Sequence, residues 1–171
     1  QLGWLNCIGV AEENPFDKVY AFFHPTFQEY FAALAIDDWG YFLPSVDIDQ
    51  DNGGLLEQDE CYRIFEPQWT EVILLWIGRP VLSKDVKQDF VANLVSFEDM
   101  CVGSYDDRAF FLAASLITEF DECDLTNKIA DQLIAYAFGN FEDAEWVKAP
   151  DFIVETTKKL LQKQINIVSS L

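Results

Sequence analysis

Apolar and β-branched residues fill positions 4–10 and 18–23, and the polar, proline-containing stretch 11–16 between them predicts a β-hairpin. A helix begins at once after it. Pro25 and Thr26 open the helix, with Thr26 as N-cap and Glu29 three residues on as its partner in a capping box, while Gln28 is expected to face solvent. Phe27, Tyr30, Phe31, Leu34 and Ala35 recur at i, i+3, i+4, i+7 and i+8, one apolar face expected in the core. The pattern breaks after Ile36 at Asp37, Asp38, Gly40 and Pro44, and an acidic loop follows over 47–60. Pro67 then suits the first turn of a helix through Trp69, Val72, Ile73, Leu75 and Trp76, apolar nearly all round and so expected to be buried, that stops at Gly78 and Pro80. Four further helical segments are predicted over 83–97, 107–120, 126–138 and 151–169, with no strand among them. Ser83 and Thr126 are the expected caps and Gly139 the expected stop. Phe90, Leu94, Leu112, Leu116, Leu133 and Leu161 fall on the apolar faces of these segments. The expected fold is mainly α, with an N-terminal β-hairpin followed by a helical bundle or α-solenoid.

At 171 residues the chain holds one domain or two small ones, and its 26 aromatic side chains indicate a packed core rather than disorder. Its 30 acidic and 11 basic residues leave a net charge of −19, which argues against nucleic acid or an anionic membrane as partner, since phosphate contacts need clustered cations. None of the eight glycines precedes a lysine, so the phosphate loop GxxxxGK(S/T) is absent from the sequence. The single imidazole, His24, and the absence of a GxSxG elbow leave little for nucleophilic catalysis, and the expectation is that this chain is no enzyme by itself. Cys7, Cys61, Cys101 and Cys123 are widely spread without a CxxC pair, which speaks for reduced thiols in a cytoplasmic protein and against a zinc site. The longest apolar run, 72–77, is too short to span a bilayer, and no signal peptide is recognisable. The chain opens at Gln1, directly in strand-like sequence, as expected of a segment cut from a longer protein.

Residues 49–60 come close to a calcium-binding EF-hand loop. Asp49, Asp51 and Glu60 fall at positions 1, 3 and 12, Gly54 at the sharp turn and Leu56 at the apolar position. Gly53 supplies no oxygen at position 5 and Pro44 interrupts an entering helix, so a solvated acidic loop is the favoured reading and no metal is assigned.

The run Tyr20-Ala21-Phe22-Phe23-His24-Pro25-Thr26-Phe27-Gln28-Glu29-Tyr30-Phe31-Ala32-Ala33 resembles NACHT-family proteins, the signal-transducing STAND NTPases related to NLR receptors, at the point where their winged-helix domain passes from its last strand into a helix. Trp69-Thr70-Glu71-Val72-Ile73-Leu74-Leu75 is similar to the buried helix of their helical domain. The likeness is close over 19–36 and looser to Gly78; from there to Leu171 the helical pattern resembles the HEAT-like repeats of bacterial members. The resemblance implies a winged-helix remnant over 1–44, an acidic loop over 45–65, and a helical domain with HEAT-like repeats over 66–171. It also implies a regulatory, non-catalytic segment that couples nucleotide state to recognition in signal transduction and innate immunity, including antiphage defence. ATP or ADP with magnesium then belongs to the full-length parent, an ATPase-type switch, and no cofactor to the segment. His24 is implied to reach the β-phosphate of ADP in that parent. The implied partners are an intramolecular nucleotide-binding domain and a protein trigger or oligomer partner. The competing reading is a free-standing acidic helical module for protein–protein interaction; a DNA-reading winged helix is disfavoured by the charge.

Overall fold

A computed structural model describes residues 3–14, 16–43, 62–98, 105–142 and 145–168, and the chain divides into two compact units, Gln1–Trp76 and Ile77–Leu171. The structure is mainly helical, with the expected hairpin at the start of the first unit.

In the first unit β1 (Leu5–Val10) pairs antiparallel with β2 (Lys18–Phe22), Leu5 opposite Phe22 and Cys7 opposite Tyr20, with a bulge between Cys7 and Gly9. The turn is tied by Asn14, whose side-chain oxygen accepts from the Phe16 N–H at 3.1 Å and whose amide donates to Asp17 at 2.9 Å. Such side-chain substitution for backbone partners is what Asn brings to a turn. Phe23 N–H donates to Trp4 C=O at 2.8 Å, carrying the pairing to the expected ends of both strands.

Helix α1 (Pro25–Ala35) begins with a correction. Its N-cap is His24, not Thr26: the backbone there is extended, and the ring accepts a hydrogen bond from the Thr26 N–H. The cause is Pro25, whose fixed φ and missing N–H suit the first helical position and move the cap back to the residue before it. Thr26 and Glu29 therefore lie inside the helix, and no capping box forms.

The apolar face of α1 is a second correction. Ala33 is buried and Phe31 half-buried, but Phe27, Tyr30 and Leu34 are 39%, 47% and 41% exposed. A two-stranded hairpin is narrower than a helix face: Phe22 stacks on Phe31 at 5.6 Å and Trp4 meets it edge-on at 5.8 Å, so cover is concentrated along one line of the helix.

The core of this unit lies further along. Asp38 accepts from the Gly40 N–H at 2.6 Å and caps a 3-10 turn, Trp39–Tyr41, that delivers Phe42 and Leu43 to the interior. Two more such turns, Arg63–Phe65 and Pro67–Trp69, lead into α2 (Thr70–Ile77), so the helix expected from Pro67 starts as 3-10. Val72, Ile73 and Trp76 are buried as expected. Phe42 and Trp76 meet at 5.8 Å, and the indole N–H of Trp76 donates to the Ile36 carbonyl at 2.9 Å, fixing the end of α1 against α2. The intervening residues 44–61, with the calcium-like positions Asp49, Asp51 and Glu60, lie outside the described residues.

The second unit contains α3 (Lys84–Val95), α4 (Asp106–Leu116), α5 (Thr126–Phe138) and α6 (Asp151–Val168). Ser83 caps α3 as expected, accepting from the Val86 N–H at 3.4 Å. Thr126 does not cap α5, whose N-cap is Leu125; the Thr126 hydroxyl instead donates to the Cys123 carbonyl at 2.8 Å. Gly139 ends α5 at φ 87°, a conformation that favours glycine. Helix α4 stops at Leu116, short of the predicted 120, where the Thr118 hydroxyl donates to the Ser115 carbonyl and competes with the helical ladder. α3 packs on α4 and α5 on α6, around Phe90, Leu94, Ala113, Leu116, Ile129 and Ile153.

A second hairpin, β3 (Asn140–Glu142) with β4 (Glu145–Val147), departs from the expectation of no further strands. Three residues per strand is too short for an alternating pattern to register, and the turn residues Asp143 and Ala144 carry no Gly or Pro signal.

Candidate functional site

The sequence singled out His24 and the acidic loop, and the described residues give a geometry for the first alone. His24 sits at the step from β2 into α1 and is exposed, its Nδ1 accepting from the Thr26 N–H at 3.3 Å. Since Nδ1 is an acceptor, the neutral ring carries its proton on Nε2, which is left to donate outward. The junction thus offers one hydrogen-bond donor to an acceptor beyond the unit. Among the described residues no group of three or more His, Cys, Asp or Glu side chains could hold a metal ion. Cys7 is exposed and Cys123 buried, and both are free thiols.

The hairpin and α1 of the first unit leave many large apolar side chains exposed. Phe16 is 90%, Phe23 69% and Ile8 66% exposed, and Trp4, Val10, Tyr20 and Tyr30 are exposed as well. Phe27, Tyr30 and Phe31, expected in the core, belong partly to this surface.

A polar cluster that the sequence did not reveal lies in the second unit. A cavity of about 210 Å³ between α3, α4 and α5 is walled by Phe97 and Phe110 and carries Asp107, Lys128, Gln132 and Tyr136. The Tyr136 hydroxyl donates to the Asp107 carboxylate at 3.5 Å. Burial pushes the Asp107 carboxyl above its ordinary range, the Tyr136 hydrogen bond working against it and the Asp106 charge with it. The Tyr136 phenol is likewise raised, by burial first and then by Asp107. The arrangement can hold a small polar group, and the chain's one histidine is not among its walls. Asp107 and Tyr136 lie 29 residues apart, so no spacing in the sequence linked them.

Lys87 is the other unusual charge. It is 8% exposed, its ammonium lies 5.5 Å from the centre of the Phe120 ring, and burial lowers its pKa against the opposing pull of Glu122. Lys84, by contrast, pairs with Asp124 at 2.7 Å on the exposed surface, where such a pair contributes little.

Compared with known proteins, the chain matches no family model, no curated protein and no solved structure. No helix among the described residues is long and apolar enough to cross a membrane.

Proposed function

We propose that this chain is the regulatory arm of a NACHT-type signal-transducing NTPase, a segment without chemistry of its own that transmits nucleotide state to a recognition region. The observation that carries the reading is the hairpin running straight into a helix with His24 at the step, its Nδ1 engaged by Thr26 and its Nε2–H offered outward. In the full-length parent that donor would meet the β-phosphate of ADP, bound with magnesium by an intramolecular nucleotide-binding domain, and help to hold the resting state. A protein trigger or oligomer partner would act on the helical region, and antiphage defence is the setting such proteins suggest.

The test has two arms. Reading the natural gene ahead of Gln1 should reveal a GxxxxGK(S/T) loop after a predicted strand, and His24→Ala in the full-length protein should raise its basal signalling. A start codon within a few residues of Gln1, or unchanged basal signalling in the variant, refutes the reading. The exposed apolar surface beside so many carboxylates favours the second reading in that event, a free-standing acidic module that binds another protein.

A further inference from the structure

Helix α1 covers the β1–β2 hairpin only at its base, around Trp4 and Phe22. Phe22 stacks on Phe31 of α1. Side chains alternate along a strand, yet Val19 and Tyr20, on opposite sides of β2, are 38% and 53% exposed, and Phe23, just past the strand, is 69% exposed. A two-stranded ribbon is at most marginally stable in water without cover, so its exposed apolar side chains, Phe16, Phe23 and Ile8 above all, are where a further element would stabilise the unit most.

Charge specifies what that element is. The tip of the hairpin carries Glu12, Glu13 and Asp17, all exposed, beside Phe16. Residues 1–62 hold twelve acidic side chains and one basic, Lys18; over Gln1–Trp76 the count is 14 acidic less 2 basic, a net −12. A second copy would bring that charge against itself, and phosphate-bearing partners would meet the same repulsion. An approaching cation is instead attracted, and its apolar neighbours find uncovered aromatic area.

We propose that the exposed apolar surface of the β1–β2 hairpin docks a cationic segment of another protein chain, with apolar side chains set on Phe16 and Phe23 and Lys or Arg side chains beside Glu12, Glu13 and Asp17. The inference stands on exposure and charge and holds whether or not the NTPase reading does.

Calorimetric titration of the chain with a synthetic Leu/Lys peptide, apolar and cationic side chains on opposite faces, tests it. Saturable binding is expected, with the scrambled peptide of the same composition weaker. The double variant Phe16→Ser/Phe23→Ser should weaken binding about tenfold, as expected of aromatic anchors. Glu12→Lys/Glu13→Lys should weaken it too and flatten its dependence on salt. All four positions are exposed, and an unchanged circular dichroism spectrum confirms that the variants fold. Absence of binding, equal binding of the scrambled peptide, or indifference to the phenylalanine variant overturns the proposal. So does a peptide-independent dimer that the phenylalanine variant abolishes, which assigns the face to a second copy, or binding to phosphatidylserine vesicles at the same face.

Discussion

Replacing Trp76 with phenylalanine tests how the first unit is held together. The indole is fully buried, meets Phe42 edge-on at 5.8 Å, and donates to the Ile36 carbonyl at 2.9 Å, so it joins α2 to the end of α1 in one side chain. Trp76→Phe keeps an aromatic ring in place but removes the donor and leaves a void of roughly 40 Å³, which at about 24 cal/mol per Å³ costs about 1 kcal/mol. Loss of the hydrogen bond adds about 1 kcal/mol, for a total of about 2 kcal/mol. Four of the five tryptophans, Trp4, Trp39, Trp69 and Trp76, lie in the first unit, so intrinsic fluorescence reports its unfolding in urea. With an m-value of about 1 kcal/mol/M, the midpoint should fall by about 2 M at unchanged slope. Trp69→Phe is the control: that ring is half-buried and contacts Phe42 at 6.2 Å, and its loss should cost less than half as much. A midpoint for Trp76→Phe equal to wild type, or no lower than that of Trp69→Phe, refutes the reasoning.

The remaining expectations follow from burial and from the shifted carboxyl. Phe42→Ala should destabilise the first unit by about 3 to 5 kcal/mol, whereas Phe31→Ala, at a half-buried ring, should cost about 2 kcal/mol; equal urea midpoints would contradict the assigned core. At the start of α1, Thr26→Ala should be nearly neutral and His24→Ala should cost about 0.5 to 1 kcal/mol, the reverse of what a threonine cap requires, as thermal melts would read. In the second unit, the raised Asp107 pKa means that the native state holds this proton more tightly than the unfolded chain. The stability it contributes is therefore full below the ordinary carboxyl pKa and is lost as pH rises through the native one. Asp107→Asn removes that loss, so its stability relative to wild type should rise as pH climbs above the ordinary carboxyl range, and a difference independent of pH would refute the shift.

The parts of the fold legible in the sequence are those in which a local period or a local cap decides the outcome. The first hairpin, the apolar α2, the Ser83 cap and the Gly139 stop all rest on residues within a few positions of one another. Where two local rules competed, the stiffer one prevailed. Thr26 and Glu29 make a complete capping box on paper, but Pro25 already satisfies the first helical position and forces the cap onto His24. The same bond that caps the helix fixes which ring nitrogen of His24 faces outward. The apolar stripe of α1 was legible as a stripe, yet periodicity reports that a face is apolar and not what covers it. Phe31 found Trp4 and Phe22, while Phe27, Tyr30 and Leu34 did not find enough partner surface. The Asp107–Tyr136 contact was illegible for the opposite reason, since it depends on how α4 and α5 pack and on no pattern within either helix. The uncovered stripe and the exposed hairpin are therefore one observation: apolar positions laid down with helix and strand periods, in a unit whose described elements leave part of them in water. A surface of that kind, bordered by carboxylates, selects its partner by charge before it selects by shape.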